Sequence, residues 1–108
     1  MPVHLGEFEQ LVLLALLRLD DDAYGVSVQR EIARCTGRAP SFGTVYTTLA
    51  RLEEKGLVTS RMGEPTPERG GRRKKHYVIR PTGRRAVEHS LKAIGKMARG
   101  LDVSWEAP

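Results

Sequence analysis

A single cysteine, Cys35, stands in the whole chain, which excludes an intrachain disulfide and makes a reducing cytoplasm the default compartment. No uninterrupted apolar run is longer than Leu11 to Leu17, so no segment reads as a bilayer-spanning helix, and a soluble protein without a membrane partner is expected. A secretory signal needs a basic start and then an apolar stretch, and the residues after Met1 offer Glu7 and Glu9 instead. The three histidines, His4, His76 and His89, are scattered, and no His-x-x-x-His, Cys-x-x-Cys, G-x-S-x-G or phosphate-loop pattern is present. The expectation is therefore a protein that is not an enzyme and needs no cofactor or metal. Cys35 continues the apolar stripe of its segment, which points to a buried structural thiol.

What is present is charge, unevenly placed. The 108 residues carry 18 Lys and Arg against 13 Asp and Glu, a size typical of one domain with one modest core. Between residues 69 and 85 stand Arg69, Arg72, Arg73, Lys74, Lys75, Arg80, Arg84 and Arg85 and no acid, so the rest of the chain has a net charge of −3. One basic stretch on a mildly acidic body is the footprint of a polyanion binder. A solvated basic loop, an anionic membrane or an acidic protein are the competing readings of charge alone.

The segment Leu5 to Leu19 is apolar nearly all round, with Leu5, Phe8, Leu11, Val12 and the leucines that follow. It predicts a helix buried on more than one side. A chain this small cannot easily cover both faces, so the second face, with Leu5, Phe8 and Val12, is assigned to a subunit interface. Asp20, Asp21 and Asp22 end that helix and offer a side-chain cap to a second, running from about Tyr24 to Thr36 with Gly37 after it. Ser41 is the candidate N-cap of a third helix that Gly56 closes, with Val45, Leu49 and Leu52 as its core stripe. At about 100° per residue, Gly43, Thr47, Ala50, Arg51 and Glu54 fall opposite that stripe, with Thr44 at the edge.

Leu57 to Met62 and Lys75 to Arg80 read as strands joined by a turn-rich excursion that contains Pro65, Pro67, Gly70 and Gly71. After Pro81, with Thr82 as N-cap, a last helix reaches about Gly100 and places Val87, Leu91, Ile94, Ala98 and Leu101 at spacings 4, 3, 4, 3. That narrow heptad seam is the stripe of a helix that pairs with another helix, most simply its twin. The competing reading is a seam packed on its own domain. Arg84 and Arg85 in the first turn oppose the helix dipole, which suits either a nearby phosphate or full hydration.

The expected fold is mainly α with a two-stranded β-hairpin wing: a winged helix-turn-helix domain over residues 1–80, and a C-terminal dimerisation helix with a short tail over residues 81–108. A helix that enters a major groove needs small, hydrogen-bonding groups near its N-terminus, where Ser41, Gly43, Thr44 and Thr47 stand, and Arg51 a turn further can reach guanine edges or phosphate. The wing cations Arg69, Arg72, Arg73, Lys74 and Lys75 can follow the backbone. Tyr46 lies about 100° from the core stripe, where a phosphate contact is expected. Tyr24 reads equally as a core or a phosphate-facing residue. His76 borders the wing, as a phosphate contact or a plain strand histidine.

The runs AYGVSVQREI, GTVYTTLARLEEKGLV and GGRRKKHYVIRPTGRRAV resemble the PadR family of bacterial transcriptional regulators, in its small subclass with one C-terminal helix, over roughly residues 5–100. The resemblance implies a DNA-binding homodimer, usually a repressor, in which the first and last helices form the interface. It implies Tyr24, Thr44, Tyr46, Thr47, Arg51 and Arg72 to Lys75 as DNA-facing residues. Members usually read Tyr-x-Leu-Thr-x-x-Gly where this chain has Tyr77 to Gly83, with Arg80 in place of the capping threonine, which loosens the start of the last helix by about two residues. Regulators resembling this one often respond to phenolic or other aromatic compounds, and Trp105 either packs against the chain or lines a pocket for a flat ligand. Two functions follow from the residues: a homodimer that binds a pseudo-palindromic double-stranded DNA operator, or a winged-helix module that binds protein or RNA.

Overall fold

The computed structural model describes residues 4–63 and 74–103. Arg69, Arg72, Arg73 and Trp105 lie outside the described residues. In chain order come α1 (Glu7–Leu19), a 3-10 turn (Asp20–Asp22), α2 (Gly25–Thr36), α3 (Phe42–Glu54), β1 (Val58–Met62), β2 (Lys75–Ile79) and α4 (Pro81–Ala98). The mainly helical fold with an antiparallel hairpin is the one the sequence predicts. Val58 pairs with Ile79 and Met62 with Lys75 at the two ends of the hairpin ladder, and the Tyr77 N–H donates to the Ala23 carbonyl at 2.9 Å. The hairpin is thereby stitched to the chain just before α2.

Apolar periodicity places the core. Val12, Leu13, Ala15 and Leu16 of α1 meet Val28 and Ile32 of α2, Val45, Leu49 and Leu52 of α3, Leu57, Val58 and Tyr77 of the hairpin, and Val87 of α4, all buried. Each such Val, Leu or Ile side chain is worth about 1.5–3 kcal/mol when fully buried. A substitution such as Leu49→Ala, at a position with no exposure, would cost about 2–5 kcal/mol. Gly83 lets α4 reach this core, because a Cβ there would overlap the Leu57 carbonyl oxygen and come within 2.9 Å of Ile79 Cγ1.

The local signals hold at some ends and fail at others. Ser41 caps α3, its hydroxyl accepting the Thr44 N–H at 3.1 Å. The aspartates do not cap α2. They form the 3-10 turn, and Ser27 closes the helix start instead by accepting the Tyr24 N–H at 2.9 Å and donating to the Asp22 carbonyl at 2.6 Å. Thr82 does not cap α4 either. Pro81 is the first helical residue, where its missing N–H costs nothing, so Arg80 takes the N-cap position. The Thr82 hydroxyl donates to the Gly56 carbonyl at 2.6 Å and ties α4 to the end of α3.

Cys35 is exposed, contrary to the buried thiol expected from its spacing. Cys35 stands on the flank of α2 toward Glu31, its Sγ 3.6 Å from Glu31 Oε2, on an open groove of about 390 Å³ together with Leu11, Leu14, Leu17 and Ile32. The interface residues expected on α1 and α4 also divide. Leu5, Val12 and Val87 are spent in the protomer's own core at 5%, 0% and 1% exposure, whereas Leu91, Ile94 and Leu101 stand at 46%, 55% and 61%. Phe8 and Ala98 are half-buried, and the Arg38 guanidinium lies 5.8 Å over the Phe8 ring.

Candidate nucleic-acid interface

Helix α3 turns Val45, Thr48, Leu49 and Leu52 inward and leaves Gly43, Thr44, Tyr46, Thr47, Ala50, Arg51 and Glu54 exposed, as the angular arithmetic predicts. Its buried threonine is satisfied locally, Thr48 Oγ1 donating to the Thr44 carbonyl at 2.8 Å. At the N-terminal end the Ser41 and Thr44 hydroxyls are 2.9 Å apart. A Cβ on Gly43 would meet nothing closer than Ser41 Oγ at 3.9 Å, so this end is open to a groove.

The two tyrosines do different work. The Tyr46 ring lies on Gly25, where a Cβ would overlap it, and still keeps 44% exposure. A Cβ on the first residue of α2 would therefore force the Tyr46 ring or α3 to shift. Tyr24, the residue before α2, is neither a core residue nor a free one. Its half-buried ring carries Lys74 Nζ 4.3 Å from its centroid and meets the His76 ring at 5.7 Å. Such a cation over an aromatic face is worth about 0.5–1 kcal/mol when exposed. The loop-side end of β2 is thus clamped to the start of α2, and α2, α3 and the wing meet around the Tyr24-Gly25 pair. His76 Nδ1 is buried without a hydrogen-bond partner among the described residues.

Phe42, in the first turn of α3, escapes the sequence reading although it is 47% exposed. It lies about 60° from Val45 on the helical wheel, which looks like core. Only the absence of a covering segment among the described residues reveals it. Arg61 of β1 is exposed as well and adds to the cations of Lys74 and Lys75.

Charge is partitioned over the molecule. Among the described residues the ion pairs are Arg18 and Arg34 with Glu31, each at 2.6 Å, Arg38 with Glu7 at 2.7 Å, and Lys55 with Glu9 at 2.8 Å. Hydrogen bonds from the Arg34 and Arg18 guanidiniums hold the Glu31 carboxyl at about 2, far below its ordinary value. Arg51, Arg61, Lys74, Lys75, Arg84 and Arg85 have no ion-pair partner among the described residues. No three His, Cys, Asp or Glu side chains converge on a metal-sized site among those residues, and no described helix is long and apolar enough to cross a membrane.

Three packed helices, a hairpin clamped to the second of them, and a third helix with an open polar face define a winged helix-turn-helix domain. The chain belongs to the transcriptional regulator PadR-like family, whose pattern it matches over residues 13–89. It is 34% identical over 80 residues to the transcriptional regulator Rv3488 of Mycobacterium tuberculosis (strain ATCC 25618 / H37Rv), covering 74% of this chain and 70% of that one. Among solved structures it resembles a transcriptional regulator from Clostridium thermocellum with a TM-score of 0.70 at 25% identity, over 84% of this chain and 85% of the other. A PadR family transcription regulator from Clostridium difficile R20291 gives 0.66 at 25% identity, over 86% and 95%. The family consists of DNA-binding transcriptional regulators, not enzymes, and the chain is one of them.

Proposed function

We propose that the chain is a homodimeric repressor that reads a pseudo-palindromic duplex operator with α3 and grips the flanking backbone with its wing. The observation that carries the DNA reading is the uncovered face of Ser41, Gly43, Thr44, Tyr46, Thr47 and Arg51 beside hairpin cations that lack ion-pair partners among the described residues. In this reading Thr47 and Arg51 contact base edges, and Lys74 and Lys75, with Arg69, Arg72 and Arg73 of the same basic stretch, follow phosphates. Tyr24 acts through Lys74, by fixing where the wing leaves the domain.

Dimerisation is supported by a separate feature. Leu91 and Ile94 on α4, with Met97 at 79% exposure and Leu101 just beyond the helix end, form an apolar strip larger than scattered surface leucines need. Leu11, Leu14 and Leu17 of α1 are only partly buried and offer the complementary half of a two-fold contact. The dimerising segment is then the C-terminal half of α4, since Gly83 and Val87 belong to the protomer core. Ile94→Glu should give monomers by light scattering, and a surviving dimer would move the interface elsewhere. Repression and relief by a small aromatic effector follow from the family resemblance, and a cytoplasmic location from the single cysteine.

The deciding experiment is selection of random duplex DNA on the purified protein at about 150 mM salt, where non-specific attraction is damped. Two inverted half-sites about 10 bp apart, or a multiple of that, are expected. Enrichment of no sequence would favour the winged-helix module that binds protein or RNA.

A further inference from the structure

One ion pair differs from the rest in burial and reach. Glu9, in the first turn of α1, is only 7% exposed, and both of its carboxylate oxygens accept from Lys55 Nζ, at 3.0 and 2.8 Å. Glu9 Oε1 also accepts the Gly6 N–H at 2.9 Å. Lys55, the residue that closes α3, donates in addition to the His4 carbonyl at 3.3 Å. The cluster joins positions 46 apart in sequence and pins the start of α1 to the end of α3.

Apolar contacts between two helices tolerate small axial shifts, because they have no direction. A carboxylate with both oxygens engaged does not, since any slide leaves a buried charge short of a partner. Burial would by itself push the Glu9 carboxyl up. The Lys55 hydrogen bond, the Gly6 N–H and the charges of Lys55 and Arg51 outweigh that and hold it below its ordinary value. Glu9 thus also feels Arg51, on the reading face of α3.

We propose that Glu9 and Lys55 are positioning residues that fix α3 relative to α1, and thereby set the distance between the two reading helices of the dimer. The inference rests on the dimeric DNA-binding reading above. In a two-fold assembly α1 belongs to the interface, so its register against α3 is transmitted to both half-sites at once. A small error in that register lets one half-site bind while the other is missed.

The test compares wild type with Glu9→Gln on the selected duplex and on the same duplex with one half-site scrambled. The positioning role predicts that affinity for the single half-site stays level while the advantage of the full duplex shrinks about tenfold or more, because the second contact loses its effective concentration. Selected operators should then also tolerate altered spacers. Lys55→Arg should keep the wild-type ratio. Should Glu9→Gln melt below the assay temperature, Lys55→Gln gives the same ratio from the other partner. An unchanged ratio, or equal losses on both duplexes, would reduce the pair to a fold stabiliser and overturn the proposal. A wild-type protein that is monomeric by light scattering would instead overturn the dimeric reading beneath it.

Discussion

The surroundings of α1 and the reading face of this regulator handle positive charge in opposite ways. Around α1, Arg18, Arg34, Arg38 and Lys55 each sit within 2.8 Å of a carboxylate. On α3 and the hairpin, Arg51, Arg61, Lys74 and Lys75 have no such partner among the described residues, and the sequence supplies no acid between residues 69 and 85. Charges neutralised internally tie helices to one another. Charges left unpaired on α3 and the hairpin keep their full attraction for an external polyanion; Arg30, Lys92, Lys96 and Arg99 on the helical body are unpaired as well among the described residues.

The largest effect expected from this contrast is on the unpaired side. Replacing Arg72, Arg73, Lys74 and Lys75 together by alanine should weaken binding to every duplex alike, by roughly two to three orders of magnitude near physiological salt. The slope of log affinity against log salt should shrink by about 3 to 4, one counterion per lost phosphate contact. A changed base preference at constant slope would mean that the wing reads sequence. Arg51→Ala should do less in total and act differently. It should cost about 1–3 kcal/mol at one or two operator positions and little elsewhere, measured by competition among single-substituted duplexes. A uniform loss would turn Arg51 into a phosphate contact.

A third, smaller effect concerns the geometry between the two sides. Gly25→Ala places a Cβ in the Tyr46 ring, so α3 must tilt away from α2 or Tyr46 must swing out. A cost of about 1–3 kcal/mol in stability follows, as for other overpacked sites. Operator affinity should fall along with it, whereas Gly43→Ala, with open space around it, should leave the thermal midpoint nearly unchanged. Equal melting of the two variants would show that the Tyr46 contact is not rigid.

Most of the fold was legible because its information is local. The apolar spacings of α1, α2 and α3 name their inner faces, and the Ser41 cap needs only a neighbour three residues away. What was not legible needs a distant partner. The Thr82 hydroxyl finds Gly56, 26 positions earlier, and Pro81 then decides where α4 begins. Cys35 has the right spacing for the core but lies on the flank of α2 toward Glu31, and Phe42 has nearly the right angle and no cover among the described residues. Periodicity also assigned Val12 and Val87 to a seam correctly as a face, yet could not say that the face belongs to the protomer. The polar set on α3 was read from the wheel, while the Lys74–Tyr24–His76 clamp, which joins strands to a helix start, left no mark in the spacing.

The paired side gives the smallest and cleanest test of the contrast, through acid. The Glu31 carboxyl is held at about 2 against an ordinary value of 4.5, so its folded form binds its proton less readily than its unfolded form. Its stabilising contribution is therefore fully present above pH 4.5 and is lost as the pH falls from there through about 2. Arg34→Ala removes the first cause of that depression, lets the folded value rise, and should flatten the decline of the melting temperature over this window. Operator affinity at neutral pH should stay level, because neither residue belongs to the reading face. The wing variant should show the reverse, an unchanged acid profile and a collapsed salt dependence. A wing variant that altered the acid profile, or an Arg34→Ala protein that lost operator affinity, would show that the two sets of charges are coupled and that the division between body and face is not a division of labour.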